Sequence, residues 1–230
     1  MTARELILAR IRSGIRQGAA KSAADLQAKT PSAAERLSQN PRGTIPQRSQ
    51  LPPSRQVDLF VAEATRVGAT VSRLASVAEV PKAIAAYLAQ ENLPARLRMA
   101  PDPQLNDIPW EKVPTLDVQR GGAQDRDEVG LTGCLAAVAE TGTLVMTSGP
   151  SHPTSLNFLP ETHVVVLKAG QVTGAYEEAL DIIKDQNRTG LPRTINLITG
   201  PSRTGDIEQT IYMGAHGPRR LHILLVAEGA

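Results

Sequence analysis

The sequence predicts an α/β fold with a mostly parallel sheet. Three observations carry that expectation: helix-like and strand-like segments alternate from residue 54 onward, several strand segments are nearly continuous apolar runs, and glycine-bearing turns stand where strands end. At 230 residues the chain has the length of one α/β domain with room for an appended segment.

The leading stretch ARELILARIRSGIRQG sets Leu6, Ile7, Ile11 and Ile15 near one helical face, with arginines mostly on the others. It reads as a basic amphipathic helix that packs on its own domain or on a neighbouring subunit. Residues 1–50 carry nine Lys/Arg against three Asp/Glu, although the whole chain is only +2. From Gly18 to Pro53 the composition is that of a linker, rich in Ser, Gln and Pro, so the expected organisation is an arm over 1–53 and an α/β domain over 54–230.

Within that domain SRQVDLFVAEATRVG is expected as a helix ending at Gly68, followed by a short strand ATVSRLA. A second helix runs through SVAEVPKAIAAYLAQENL, with Ser76 as candidate N-cap and Pro94 beyond its end. ARLRMA is a short strand, and a Pro/Asp loop follows it. EVGLTGC, TGTLVMTS, HVVVLK, TINLITG and LHILLVAE then supply the strands at the centre of the sheet. QVTGAYEEALDIIKDQ is expected as a scaffold helix with Tyr176, Ala179, Leu180 and Ile183 on its buried stripe.

Several function classes fall away on composition. A net charge of +2 does not suit a polyphosphate-binding surface, so nucleic acid is not an expected partner. No apolar run approaches the ~20 residues of a membrane-spanning helix, and none has the layout of a secretory signal. The single Cys134 closes no intramolecular disulfide and builds no four-cysteine cluster, which fits a reducing cytoplasm. Flanked by apolar residues, Cys134 reads as a small buried hydrophobe. His152, His163, His216 and His222 show no zinc spacing, and His222, inside the last strand, reads as structural.

Three stretches carry candidate chemistry. In TINLITGPSRTGDIEQT an apolar strand runs into Gly200-Pro201-Ser202, and a helix is expected from about Asp206. Gly200 and Gly205 permit positive φ, Ser202 and Thr204 are capping residues, free amides at a helix start attract anions, and Arg203 offers a fork for carboxylate or phosphate. The stretch is neither a Walker A loop nor a G-x-G-x-x-G turn, and an ordinary capped turn accounts for the same residues. In AVAETGTLVMTSG, Glu140 precedes a turn with Thr141, Gly142 and Thr143, where a carboxylate serves as nucleophile, base, substrate acceptor or cap of loop amides. In YMGAHGPRRLHILLV, His216 stands between Gly214 and Gly217, placed for acid–base work near neutral pH or for a plain backbone hydrogen bond.

These residues also carry a resemblance. Glu140-Thr141-Gly142-Thr143, the GPSRTGDIE run from Gly200 to Glu208 and Gly214-Ala215-His216-Gly217-Pro218 occur in the order and spacing of the LUD domain family, and the likeness extends over about residues 54–230. Gly205 departs from it, standing where that family commonly has alanine. The resemblance implies a Rossmann-like α/β fold flanked by helices, similar to the NagB/RpiA/CoA-transferase group. It implies a part in lactate utilization, the oxidation of L-lactate to pyruvate, with iron–sulfur centres on partner proteins and no cofactor bound by this chain alone. Glu140 and His216 would be catalytic. Thr141, Gly142, Thr143, Gly200, Pro201, Ser202, Arg203, Thr204, Asp206 and Gly217 would bind a small carboxylate or phosphate-bearing ligand.

The expected role is then an accessory or substrate-handling subunit, open to homo-oligomerisation, with all three stretches facing one cleft. A stand-alone acyl-CoA transferase or sugar-phosphate isomerase acting through Glu140 is the rival, because fold does not fix function. An interaction module using the basic arm is the third.

Overall fold

Pro52 and Pro53 fix the entry of the body's first helix, since a proline at the first helical turn gives up no hydrogen bond the helix would make. The computed structural model describes residues 4–13, 42–186, 190–205 and 211–227. The chain divides into two compact units, Met1–Gly43 and Thr44–Ala230. In the first, residues 4–13 form a helix whose Leu6, Ile7 and Ile11 are exposed. Ile15 and most of the expected arm lie outside the described residues.

The second unit contains α1 (Pro53–Arg66), β1 (Thr70–Leu74), α2 (Val80–Gln90), β2 (Arg96–Met99), β3 (Asp117–Arg120), β4 (Val129–Gly133), β5 (Ala136–Val138) and β6 (Thr143–Thr147). It continues through α3 (Ser155–Phe158), β7 (Thr162–Lys168), β8 (Val172–Thr173), α4 (Tyr176–Gln186), β9 (Ile195–Ile198), β10 (Arg203–Gly205), β11 (Ile211–Met213) and β12 (Arg220–Val226). Ser76 takes the N-cap position of a short 3-10 turn ahead of α2 without a capping hydrogen bond from its side chain. Instead Glu79 reaches back, its carboxylate accepting the Ala75 N–H at 2.9 Å.

Six strands form an all-parallel sheet in the order β1-β12-β7-β4-β2-β3. The α/β expectation holds. Side chains of the central strands alternate between two cores, as the two-residue period of a strand requires. Val164 and Val166 of β7 and Leu224 and Val226 of β12 join Val80, Ile84, Tyr87 and Leu88 of α2 on one face. Val165, Leu167, Leu221, Ile223 and Leu225 meet Phe60 and Ala64 of α1 on the other.

A second, four-stranded sheet, β8-β5-β6-β9, also covers that other face. Ala137, Ala139, Leu144 and Met146 turn toward the parallel sheet, while Ala136, Val138 and Val145 turn toward Ala179 and Ile183 of α4. This corrects one expectation. TGTLVMTS and TINLITG are not central strands of the parallel sheet but β6 and β9 of the second one. Their apolar runs have the same cause, because β6 is buried between the parallel sheet and α4.

Two further expectations change. The helix expected from Gln171 begins at Tyr176, and Leu180 is exposed rather than on the buried stripe, which is made by Ala179 and Ile183. The expected Pro/Asp loop after β2 also contains an edge strand, β3, which alternates too weakly to stand out.

Candidate functional site

Two of the three predicted stretches meet. Ser202 donates its backbone N–H to Pro218 O at 2.8 Å, and Gly214 donates to Ser202 O at 3.0 Å, so the Gly200-Pro201-Ser202 turn is zipped to the His216-Gly217-Pro218 turn. Between them opens a cleft of about 570 Å³. Thr199 to Arg203 form one wall and His216 to Pro218 another, with Arg66 and Val67 from the end of α1 and His163 and Leu221 at the starts of β7 and β12. The cleft therefore lies at the amino ends of β7 and β12.

Gly200 is required by this geometry. Its φ is +79°, and a Cβ there would stand 2.6 Å from the Val67 carbonyl oxygen. Arg203 lies across Gly68, whose missing side chain makes the space for the guanidinium. Arg66 is already engaged with Glu63, Nε to Oε2 at 2.8 Å, but Arg203 has no carboxylate partner among the described residues. Among the described residues the cleft's lining includes two arginines and no carboxylate. Such a surface attracts anions.

The local structure around Arg203 differs from the expected capped turn into a helix. Residues 203–205 are β10, paired antiparallel with β11 through Arg203 and Met213, Thr204 and Tyr212, and Gly205 and Ile211. The strand pair places Arg203 and Thr204 on β10, and the helix expected from about Asp206 falls on residues outside the described ones.

The third stretch sits elsewhere. Glu140 is not among the residues lining the cleft. It is 9% exposed, its N–H donates to Gly174 O at 3.2 Å, and its Oε2 is buried with no hydrogen-bond partner among the described residues. Gly142, at φ +68°, presses so closely on the Ala64 backbone of α1 that any side chain would collide. The Thr141 and Thr143 hydroxyls lie 2.7 Å apart, each within 3.0 Å of the Tyr176 hydroxyl. Thr143 Oγ1 reaches Thr199 Oγ1 at 2.7 Å. The Glu140 turn thus touches the wall of the cleft through this hydroxyl chain and through the pairing of β6 with Leu197 and Ile198, but Glu140 itself does not line the cleft that His216 lines, contrary to expectation.

Sequence reasoning missed a second constellation. At the carboxyl ends of β2 and β4 a cavity of about 70 Å³ is lined by Ala100, Gln104, Thr132, Gly133, Cys134, His152 and Asn157, among others. Asp102 stands beside it, 1% exposed. Its Oδ1 accepts the Gln104 N–H at 2.9 Å, while Oδ2, without a hydrogen bond, is 3.4 Å from His152 Nε2. That carboxylate raises the pKa of His152 above the ordinary histidine value, against partial burial, which lowers it. Burial pushes the Cys134 thiol up to about 12, helped by the nearby Asp102 charge, so Cys134 is the inert buried group expected of it.

The signal for this pair was faint. Asp102 and His152 are 50 positions apart in loops, and only the D-P-Q turn after a predicted strand end marked the first. His222 behaves as expected: it stacks on Tyr87 at 3.9 Å, and its Nδ1 is 2.7 Å from Thr70 Oγ1.

Among the described residues no group of three or more His, Cys, Asp and Glu side chains is placed to hold a metal ion, and no helix is long and apolar enough to cross a membrane. The LUD domain profile matches residues 57–226. Lactate utilization protein C of Deinococcus radiodurans is 32% identical over 158 residues, covering 66% of this chain and 70% of that protein. The Bacillus subtilis protein of the same name is 33% identical over 106 residues, 45% of this chain and 44% of that one. An uncharacterized Neisseria meningitidis protein is 35% identical over 99 residues, 43% and 42% of the two chains. The aligned part thus spans about half the length or less of several of these relatives. A crystal structure of a DUF162 family protein from Deinococcus radiodurans superposes with a TM-score of 0.56 at 28% identity, over 76% of this chain and 99% of that chain.

Proposed function

The chain belongs to the LUD domain family, and on that footing we propose that it is an accessory or substrate-handling subunit of an L-lactate-oxidising complex. Relatives named lactate utilization protein C support the metabolic assignment. The observation that carries the site is the lining of the open cleft, where Arg203 stands without a carboxylate partner among the described residues. Arg203 receives a carboxylate or phosphate group, the Ser202 and Thr199 hydroxyls supply neutral hydrogen bonds, and His216 holds or releases a proton at the exposed edge. A volume of about 570 Å³ exceeds what a three-carbon acid fills. Lactate or pyruvate would occupy the Arg203 end, and a phosphate-bearing ligand would use the rest.

Oxidation of lactate removes two electrons, and with one cysteine this chain cannot build a four-cysteine cluster by itself. Iron–sulfur partner proteins are the proposed carriers, and copurification followed by mass spectrometry identifies them. The ligand is tested by calorimetry with lactate, pyruvate and nucleotides on wild type and Arg203→Ala. Affinity lost in the variant supports the assignment; binding of equal strength in both defeats it.

A further inference from the structure

The inner cavity stands where an open parallel sheet places ligands. From β2 the chain leads outward to β3, from β4 it leads the other way to β7, and the two strands are neighbours in the sheet. Their carboxyl ends flank a topological switch point, where open parallel sheets form a crevice, and here the β4-to-β7 connection walls it through Met146, His152 and Asn157. Ala100 and Gly133, at those two ends, line the cavity.

Its chemistry is that of a buried carboxylate holding an imidazole. Asp102 is buried, with Oδ2 facing His152, and a Cβ at Gly133 would stand 2.6 Å from that oxygen, so the glycine makes the carboxylate's position possible. Asp102 Oδ2 is buried without a hydrogen bond among the described residues, a cost that a bound hydroxyl or amide N–H would remove by donating to it. His152 is 41% exposed at its side chain, and its Nδ1 has no hydrogen-bond partner among the described residues. Among the described residues the titratable groups at the cavity are Asp102, His152 and the Cys134 thiol, whose pKa burial pushes up to about 12.

We propose that this cavity is a binding site for a small uncharged molecule bearing a carbonyl or hydroxyl oxygen, with His152, held by Asp102, as the group that hydrogen-bonds that oxygen. An anion bound there would face the Asp102 carboxylate, and the described lining holds no arginine or lysine to offset that repulsion. Gln104, Thr132 and Asn157 contribute neutral amides and a hydroxyl to the lining. A volume of about 70 Å³ holds a few waters or a ligand of roughly four or five heavy atoms. The site shares Asn157 with the Arg203 cleft but does not depend on the role proposed for that cleft.

The test follows the His152 ring resonances and the Gln104 and Asn157 side-chain amide resonances of the full-length protein by NMR. Acetone, acetamide and propane-1,2-diol are the uncharged probes, and acetate, lactate and phosphate the anionic ones. The expected result is a saturable shift of all three side chains with at least one uncharged probe. That binding should weaken about tenfold in His152→Ala, a half-exposed position that leaves the core intact, and be unchanged in Arg203→Ala. Three results overturn the proposal: no saturable shift from any uncharged probe, as for a cavity holding water only; a shift of His152 without Gln104 and Asn157; or stronger binding of the anions.

Discussion

The open cleft and the inner cavity use opposite ends of the parallel sheet and opposite electrostatics. The cleft, at the amino ends of β7 and β12, is about 570 Å³, with Arg203 on its wall and no carboxylate among its described lining residues. The cavity, at the carboxyl ends of β2 and β4, is about 70 Å³ and is organised by Asp102. Asn157 belongs to both linings, and Thr132 of the cavity is 2.8 Å from His163 of the cleft. Two sites of different charge thus share one polar seam between the sheets. The difference teaches that charged side chains choose the kind of ligand, while the strand ends choose only where a hollow forms.

Acid should disturb the seam most. Burial pushes His163 down to about 3 and His222 to about 4 from an ordinary 6.5. Below about pH 6.5 the unfolded chain binds protons that the native imidazoles refuse, so stability falls with pH down to about 4 for His222 and about 3 for His163. The slope is up to ~1.4 kcal/mol per pH unit for each histidine, measured by urea unfolding at a series of pH values. His152 acts oppositely, since its raised pKa stabilises the fold at low pH and that contribution is lost as pH rises through its native value. His163→Gln should flatten the acid loss, and an unchanged slope would mean that His163 titrates normally.

A glycine substitution separates the two sites. Gly200→Ala should cost ~2–4 kcal/mol by urea unfolding, because the new Cβ meets the Val67 carbonyl at positive φ. The His152 resonances of the inner cavity should stay in place. Asn157→Ala should cost less, ~1–2 kcal/mol, yet alter binding in both hollows, and an effect confined to one would show that they are not coupled through it. Gly217→Ala is the smallest change, within ~0.5 kcal/mol, since its Cβ would meet nothing closer than Ser202 Cβ at 3.5 Å. A larger loss would mean that the cleft wall is tighter than these contacts imply.

Much of the fold could be read ahead of the coordinates. The helix expected over 54–68 and found as α1 (Pro53–Arg66) has a 3.6-residue period and a glycine at φ +96° just beyond its end, both properties of a short stretch of chain. The strands at 129–133, 162–168 and 220–226 were expected from largely apolar segments, nearly continuous in the last two. The site was half visible: Gly200 to Arg203 and His216 to Gly217 meet, but Glu140 faces a different neighbourhood. The shape of its own turn could not reveal that Gly142 would be pressed against α1. Asp102 and His152 carried almost no signal, because each is an ordinary loop residue until Gly133 leaves room for the carboxylate.

Local periodicity, turn residues and the cysteine count fixed the α/β class, the presence of the main helices and strands of the body and the absence of a four-cysteine cluster within this chain, because each depends on neighbours a few positions away or on composition alone. Which sheet takes β6 and β9, which turns share a hollow and where a buried carboxylate finds its imidazole emerged only on folding. Those outcomes rest on contacts between residues far apart in sequence, such as Thr132 with His163, 31 positions apart, and Thr70 with His222, 152 positions apart. Such pairings follow from strand order and layer packing, and no short segment encodes them.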